Sequence, residues 1–164
     1  MGGDDHDVGE GADVFSKAAL GNLIHQVAED HPHGPLEALK ESLDRHWDSL
    51  GLDENTHWGR YWRKHAEAMV ERLATHFSSW PGEVLTEETM RFEVGDGTVY
   101  GRIDRLEIYQ DGSARVVDIK TGRAISERAA QDNLQLKAYQ LGVATEKSMG
   151  ASTRKLRPAG AALL

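Results

Sequence analysis

The chain has 164 residues, of which 39% are hydrophobic and 28% charged, a composition typical of a soluble globular protein. It contains no cysteine, which excludes disulfide frameworks, thiolate zinc sites and iron–sulfur clusters, and no apolar run approaches the ~18 residues of a membrane-spanning helix. The formal net charge of −8 argues against nucleic acid as a partner, but residues 102–164 carry 11 basic and only 7 acidic side chains. That uneven distribution leaves room for a local anion-binding surface.

The first half of the chain has the periodicity of amphipathic helices. Apolar residues recur at helical spacing from Leu20 to Val27, from Leu36 to Leu50 and from Trp58 to Trp80. Pro- and Gly-containing breaks separate these segments, and Thr56 is the predicted N-cap of the third helix. Because the tryptophans lie at helical spacing, we expect them in the core rather than on a surface where bases stack.

After Gly82 the hydrophobic pattern changes to the alternation of strands. Three strands joined by short Gly- and Asp-containing turns are predicted, at 84–94, 98–109 and 114–121. A helix over 126–142 and a further strand near the C-terminus follow. The order predicts an α/β protein whose central mixed sheet begins with an antiparallel meander and is flanked by helices.

We expect one domain. Residues 1–13 are rich in Gly and Asp and predict a flexible lead-in, and residues 14–164 form the domain, with a helical part at 14–82 and a sheet-forming part at 83–164. The final apolar run of Ala and Leu indicates that the sequence stops within a strand. We therefore expect a piece of a larger protein, truncated at its C-terminus.

Two aspartates stand out because each lies inside an apolar strand. Aspartate is rare in strands, and burying an unpaired carboxylate costs several kcal/mol, so both Asp104 and Asp118 need compensation. Consecutive strands are usually neighbours, and alternation places Lys120 on the same face as Asp118. Carboxylates that meet on one face repel each other unless a cation lies between them, and hard oxygen ligands suit Mg²⁺ or Mn²⁺. The alternative is a set of salt bridges, in which Asp118 pairs with Lys120 or Arg102 and Asp104 pairs with Arg105.

Glu88 is a weaker candidate for the same acidic site. It shares a strand face with Met90 and Phe92, but Glu87 and Glu93 are close in sequence. A solvated charged strand is therefore the better explanation, and we leave Glu88 out of the predicted site.

Three ordered motifs resemble the RecB-type branch of the PD-(D/E)XK nucleases. They are Gly101-Arg102-Ile103-Asp104-Arg105, Val117-Asp118-Ile119-Lys120-Thr121-Gly122 and Gln135-Leu136-x-x-Tyr139. The early helix adds Gly21-x-x-x-His25, which is similar to that branch's Gly-x-x-x-His form. The chain looks most like the C-terminal nuclease module of AddAB- and AdnAB-type bacterial helicase–nucleases. Ile103 stands where the superfamily name expects proline.

The resemblance implies a restriction-endonuclease-like core and a role for each matched position. The implied metal ligands are His25, Asp104, Asp118 and the backbone carbonyl of Ile119, with Lys120 as the catalytic lysine and Gln135 and Tyr139 completing the catalytic set. On a helical wheel His25 lies opposite the apolar stripe beside small residues, which leaves space for a close approach. Candidate phosphate contacts are Arg102, Arg105 and Arg123.

The sequence therefore predicts a Mg²⁺- or Mn²⁺-dependent deoxyribonuclease domain in the bacterial cytosol, associated with the nucleoid. The resemblance implies DNA as substrate, a helicase motor on the same full-length chain, a partner subunit, and a role in double-strand break processing and recombinational repair. One alternative is a catalytically silent nuclease-fold domain that binds DNA or braces a partner. Another is a purely structural α/β module with salt-bridged strand carboxylates.

Overall fold

The structure, a computed structural model, describes residues 9–122, 133–144 and 156–164, and side chains from residue 17 onward. Three helices come first: α1 (Gly9–Asp30), α2 (Leu36–Trp47) and α3 (His57–Ser78). A short 3₁₀ turn extends α2 to Leu50, and Gly51 ends it with a φ of 65° that favours glycine. The helical first half predicted from periodicity is confirmed. None of the described helices is both long and apolar enough to cross a membrane.

Thr56 caps α3 as its sequence position predicts. Its side-chain oxygen accepts a hydrogen bond of 2.9 Å from the backbone N–H of Gly59. Gly59 itself has no space for a side chain, because a Cβ there would lie 1.9 Å from the carbonyl oxygen of Asp53. The loop before α3 is thus packed tightly onto the first turn of the helix.

The second half forms a four-stranded mixed sheet in the order β1-β2-β3-β4. Its strands are β1 (Glu83–Val94), β2 (Gly97–Ile108), β3 (Ser113–Asp118) and β4 (Arg157–Leu163), and α4 (Leu134–Ala144) lies between β3 and β4 in sequence. The first three strands are antiparallel neighbours, and β4 pairs with β3 in parallel. The predicted α/β class, with an antiparallel meander opening a mixed sheet, is confirmed.

Two hydrophobic cores lie on either side of this sheet. The first is formed by α1, α2 and α3 and includes Ile119, which follows β3. The second lies between the sheet and α4 and includes Phe92, Leu106, Val116 and Tyr139. The end of β3 therefore contacts both layers, which fixes the residues around Asp118 from two sides.

Three local expectations differ from the structure, and a fourth lies partly outside the described residues. Helix α1 begins at Gly9, inside the segment expected as a lead-in, because extending an existing helix avoids the cost of nucleation. Strand β3 ends at Asp118 rather than at 121, although backbone hydrogen bonds with Leu164 continue the pairing at its end. The first part of the predicted helix over 126–142 lies outside the described residues. Trp58 is 60% exposed, so the expectation of a core position is wrong for this tryptophan.

Candidate active site

The hairpin register brings the two strand aspartates together. Arg105 pairs with Val117, so the next position along both strands sets Asp104 beside Asp118. The carboxylate of Asp104 accepts a hydrogen bond of 2.8 Å from the backbone N–H of Ile119, which binds it to the end of β3. Both acids thus lie at one end of the β2–β3 pair.

Lys120 joins these acids to α4. Its Nζ lies 2.7 Å from Oδ2 of Asp118, as the salt-bridge alternative foresaw, and donates a hydrogen bond of 3.2 Å to Oε1 of Gln135. The amide nitrogen of Gln135 donates in turn to the hydroxyl of Tyr139 at 2.6 Å. Gln135 and Tyr139 are four residues apart and so share one helix face. A continuous chain of polar contacts therefore runs from Asp118 to Tyr139.

His25 reaches the site from α1. Its Nδ1 lies 3.6 Å from Oδ1 of Asp104, and its side chain is partly exposed. The helix can come this close because Gly21 has no side chain: a Cβ there would lie 2.9 Å from Oγ1 of Thr121. The small residue one turn before His25 thus allows α1 to approach the segment that follows β3, as the helical wheel anticipated.

Glu87 is a member of the site that the sequence analysis missed. The β1–β2 ladder passes from Thr86 opposite Arg105 to Glu88 opposite Ile103, so Glu87 stands opposite Asp104. Ligand atoms of His25, Glu87 and Asp104 all lie within 4.8 Å of one another. The acidic site residue on β1 is therefore Glu87 and not its neighbour Glu88.

The backbone at Glu87 explains why strand alternation pointed to the wrong residue. Its φ is 54°, the only positive φ of a non-glycine residue in the described part of the chain. On β2, Ile103 and Leu106 lie on either side of the position opposite Glu87, and both pack in the same core. Strict alternation would put these two residues, three apart, on opposite faces of the sheet. Counting the register back from the two-residue turn at 95–96 would have placed Glu87 opposite Asp104.

Burial raises the energetic cost of these charges. Loss of solvent raises the pKa of the Asp104 carboxyl, against the opposing effects of the Ile119 N–H and His25. Burial likewise raises the pKa of Glu87, although the Arg102 guanidinium, with Nε 2.5 Å from Glu87 Oε2, favours its charged form. Asp104 adds to that rise because two carboxylates repel each other.

The donor chemistry of this cluster fits a divalent cation. Carboxylate oxygens and an imidazole nitrogen converge there, and a cation would offset the repulsion between Glu87 and Asp104. Asp118 is only 3% exposed, and its Oδ2 has the Lys120 ammonium nearby but no hydrogen bond of good geometry. That oxygen keeps bonding capacity that a cation can use. A ligand role for the Ile119 carbonyl stays a prediction.

The predicted phosphate contacts separate into three cases. Arg105 is 1% exposed, and its guanidinium binds Glu107 and the carbonyl oxygen of Pro32, so its assignment to DNA contact is wrong. The salt bridge foreseen between Asp104 and Arg105 is also wrong, because Arg105 points to the helical layer. Arg102 is well exposed and stays a prediction. Arg123 lies outside the described residues.

Arg105 belongs to a buried charged network between the sheet and α3. The carboxylate of Glu107 binds Arg105, Arg115 and His76, and these hydrogen bonds lower its pKa to about 2 despite the opposing effect of burial. The Arg105 guanidinium also lies 4.1 Å from the ring centre of Phe77. This network fixes the sheet to the helices on the side away from α4.

Comparison with known families covers nearly the whole chain. The family model of the PD-(D/E)XK nuclease superfamily matches residues 7–164. Among curated proteins, none matches the chain. The matched range includes every residue of the cluster described above, from His25 on α1 to Tyr139 on α4.

Proposed function

The chain belongs to the PD-(D/E)XK nuclease superfamily, and on this premise we propose that it is a metal-dependent deoxyribonuclease that hydrolyses phosphodiester bonds. The observation that carries the proposal is the convergence of three acids, a histidine and a lysine from four separate elements at the end of β3. A silent relative would lack an acid or the lysine, and this chain keeps both.

We propose Mg²⁺ or Mn²⁺ as the cofactor, held by His25, Asp104, Asp118 and Glu87. Such a cation, when bound, lowers the pKa of a water molecule and offsets the negative charge of the phosphodiester. A cation also lets an acidic site accept an acidic substrate, which accounts for a DNA-cleaving protein with a net charge of −8.

The side chains around this position have separable tasks. Asp118 and Gln135 hold the Lys120 ammonium from two sides, so that it is already oriented to stabilise negative charge on a phosphoryl oxygen. The Tyr139 hydroxyl accepts from the Gln135 amide and thereby fixes which end of the amide faces Lys120. The Ile119 N–H occupies one oxygen of Asp104 and leaves the other directed at His25.

We further propose that the chain is the nuclease module of a RecB-type helicase–nuclease. Support comes from the three ordered motifs and from the polar contacts that join the second motif to the third. In this proposal a helicase motor on the same full-length chain and a partner subunit deliver DNA in the bacterial cytosol, for double-strand break processing and recombinational repair.

Cleavage of end-labelled linear DNA tests the enzymatic proposal. The wild type is compared with Asp118→Ala in Mg²⁺, in Mn²⁺ and in EDTA, with Asp96→Ala in the exposed β1–β2 turn as the matched control. We expect metal-dependent cleavage by the wild type and the control, and none by Asp118→Ala. Equal cleavage by all three proteins would remove the assignment to this site. No cleavage by the wild type, with DNA binding retained, would favour the silent binding domain.

A further inference from the structure

An exposed stripe on α3 combines aromatic and cationic side chains. Its members follow one another at spacings of 3, 4, 3 and 4 residues and so share one flank of the helix: Trp58, Tyr61, His65, Ala68 and Arg72. Trp58 is 60% and Tyr61 49% exposed, which is unusual for two large aromatic side chains on one helix face. We refer to these five residues as the α3 stripe.

The aromatic rings of the stripe contact one another along the helix. The rings of Tyr61 and His65 are nearly parallel, with an interplanar angle of 7° and centroids 6.1 Å apart. Trp58 meets Tyr61 edge-on at 5.8 Å. These contacts restrict the rings and reduce the entropy that a ligand would otherwise have to remove on binding.

The charge of the stripe suits a phosphate backbone. Its only permanently charged member is Arg72, and within the described part of the chain Arg72 has no ion-pair partner. The carboxylates of α3 lie on the other flank, where Glu67 pairs with Arg63 and Glu71 with Lys40. On a protein of net charge −8, a surface strip with cationic and aromatic groups but no carboxylate is a local exception.

The Arg72 end of the stripe lies close to Lys120 of the candidate active site. Arg72 lines a small cavity together with Ile119, Lys120 and Thr121. At ~1.5 Å per residue, Trp58 lies about 21 Å from Arg72 along the helix axis. A chain molecule seated on the stripe would therefore end beside the catalytic lysine.

We propose that the α3 stripe binds single-stranded nucleic acid, whose bases stack on Trp58 and Tyr61 and whose backbone passes Arg72 toward Lys120. The proposal rests on the proposed nuclease function and adds the form of the substrate. A single strand fits better than a duplex, because unpaired bases offer their faces to aromatic side chains without regard to sequence. Trp, Tyr and Arg are also enriched in protein interfaces, so a second copy of the chain is the competing occupant, and the test below includes it as an outcome.

Binding of a fluorescent oligothymidylate of about 20 nucleotides, measured by anisotropy in EDTA, tests the inference without requiring cleavage. The double variant Trp58→Ala/Tyr61→Ala should bind at least ~10-fold more weakly than the wild type, and Trp58→Phe/Tyr61→Phe should retain most of the affinity. Tyr100→Ala removes an aromatic side chain that is 71% exposed on β2 and serves as the matched control with unchanged affinity.

The outcomes separate this inference from the nuclease proposal. Unchanged affinity in the double alanine variant, or no oligonucleotide binding by the wild type, overturns the stripe as a strand-binding surface. The inference is also overturned if the wild type and the double alanine variant bind the oligonucleotide equally and only the wild type forms a dimer. That result would assign the stripe to contact between copies of the chain. Hydrolysis of bis-p-nitrophenyl phosphate by the wild type, a substrate too small to reach Trp58, reports separately on the nuclease proposal.

Discussion

Glu87 on β1 stands opposite Asp104 on β2, and one oxygen of each carboxylate lies within 4.8 Å of a nitrogen of the His25 imidazole. Glu87 has a positive φ, and the alternation of strand faces is interrupted at this level of the hairpin. Ile103 and Leu106 lie three residues apart, yet both pack in the core shared with α4. Strained backbone conformations cluster at functional sites, where the surrounding structure holds them in place, and the partly buried Glu87 is in this position.

The first prediction concerns Glu87 as a metal ligand. Glu87→Gln removes one charge from the cluster, so we expect Mn²⁺ affinity, measured by isothermal titration calorimetry, to fall by about tenfold or more. Glu88→Gln is the matched control, because this neighbour lies opposite Ile103 rather than Asp104. An unchanged Mn²⁺ affinity in Glu87→Gln would assign this carboxylate to its ion pair with Arg102 alone.

The second prediction concerns stabilisation by the metal. A cation that binds only the folded state at 100 times its Kd adds about 2.7 kcal/mol to the free energy of unfolding, which raises Tm by roughly 5–10 °C for a domain of this size. Thermal unfolding followed by circular dichroism should show this rise for the wild type in Mn²⁺ and its loss in EDTA. Most of the Mn²⁺-dependent rise in Tm should be absent in Asp118→Asn, whereas Asp96→Asn should show the same rise as the wild type. Equal rises in both variants would exclude Asp118 from the ligand set.

The third prediction concerns the contacts that orient Lys120. Tyr139→Phe keeps the ring in the core beside Gly101 but removes the acceptor for the Gln135 amide. Because one hydrogen bond of this kind contributes about 0.5–1.5 kcal/mol, we expect kcat to fall by roughly 2- to 13-fold with KM for DNA little changed. Tyr100→Phe is the control. A change in KM alone would indicate that Tyr139 contacts substrate instead of supporting Lys120.

The fourth prediction concerns acid stability. The pKa of Glu107 is about 2 in the folded protein against 4.5 for an unperturbed glutamate, so the folded state binds this proton less readily than the unfolded state. The resulting stabilisation, roughly 3 kcal/mol, is fully present above pH 4.5 and is lost as the pH falls toward 2. Urea unfolding between pH 7 and 3 should show a shallower loss of stability for Glu107→Gln than for the wild type or for Glu93→Gln. Parallel profiles would contradict the low pKa.

Much of the fold follows from local sequence. The spacing of Leu20, Leu23 and Val27, the Thr56 cap and the Gly-containing turns predict the elements, because helix periodicity, capping and turn geometry depend on residues close in the chain. The meeting of Asp104 and Asp118 also follows, since a short turn leaves little choice about which strands are neighbours.

Long-range packing decided the assignments on which the sequence analysis failed. Arg105 lies next to a site aspartate in sequence, yet its partners are Pro32 and Glu107 in the helical layer. Trp58 has core-like spacing, but the described elements leave its ring exposed at one end of α3. In both cases the side chain type and its spacing are compatible with either environment, and only the neighbouring elements select one.

The sequence by itself determined the order of elements, the pairing of the two strand aspartates and the lysine two residues after the second. The tertiary structure decided that Glu87 and Asp104 meet His25, that Arg105 turns to the helical layer, and that Arg72 of the α3 stripe lies beside Lys120. The physical reason is that periodicity reports which face a residue takes within its own element. The approach of α1 at Gly21 and the positive φ of Glu87 depend on how separate elements pack against each other.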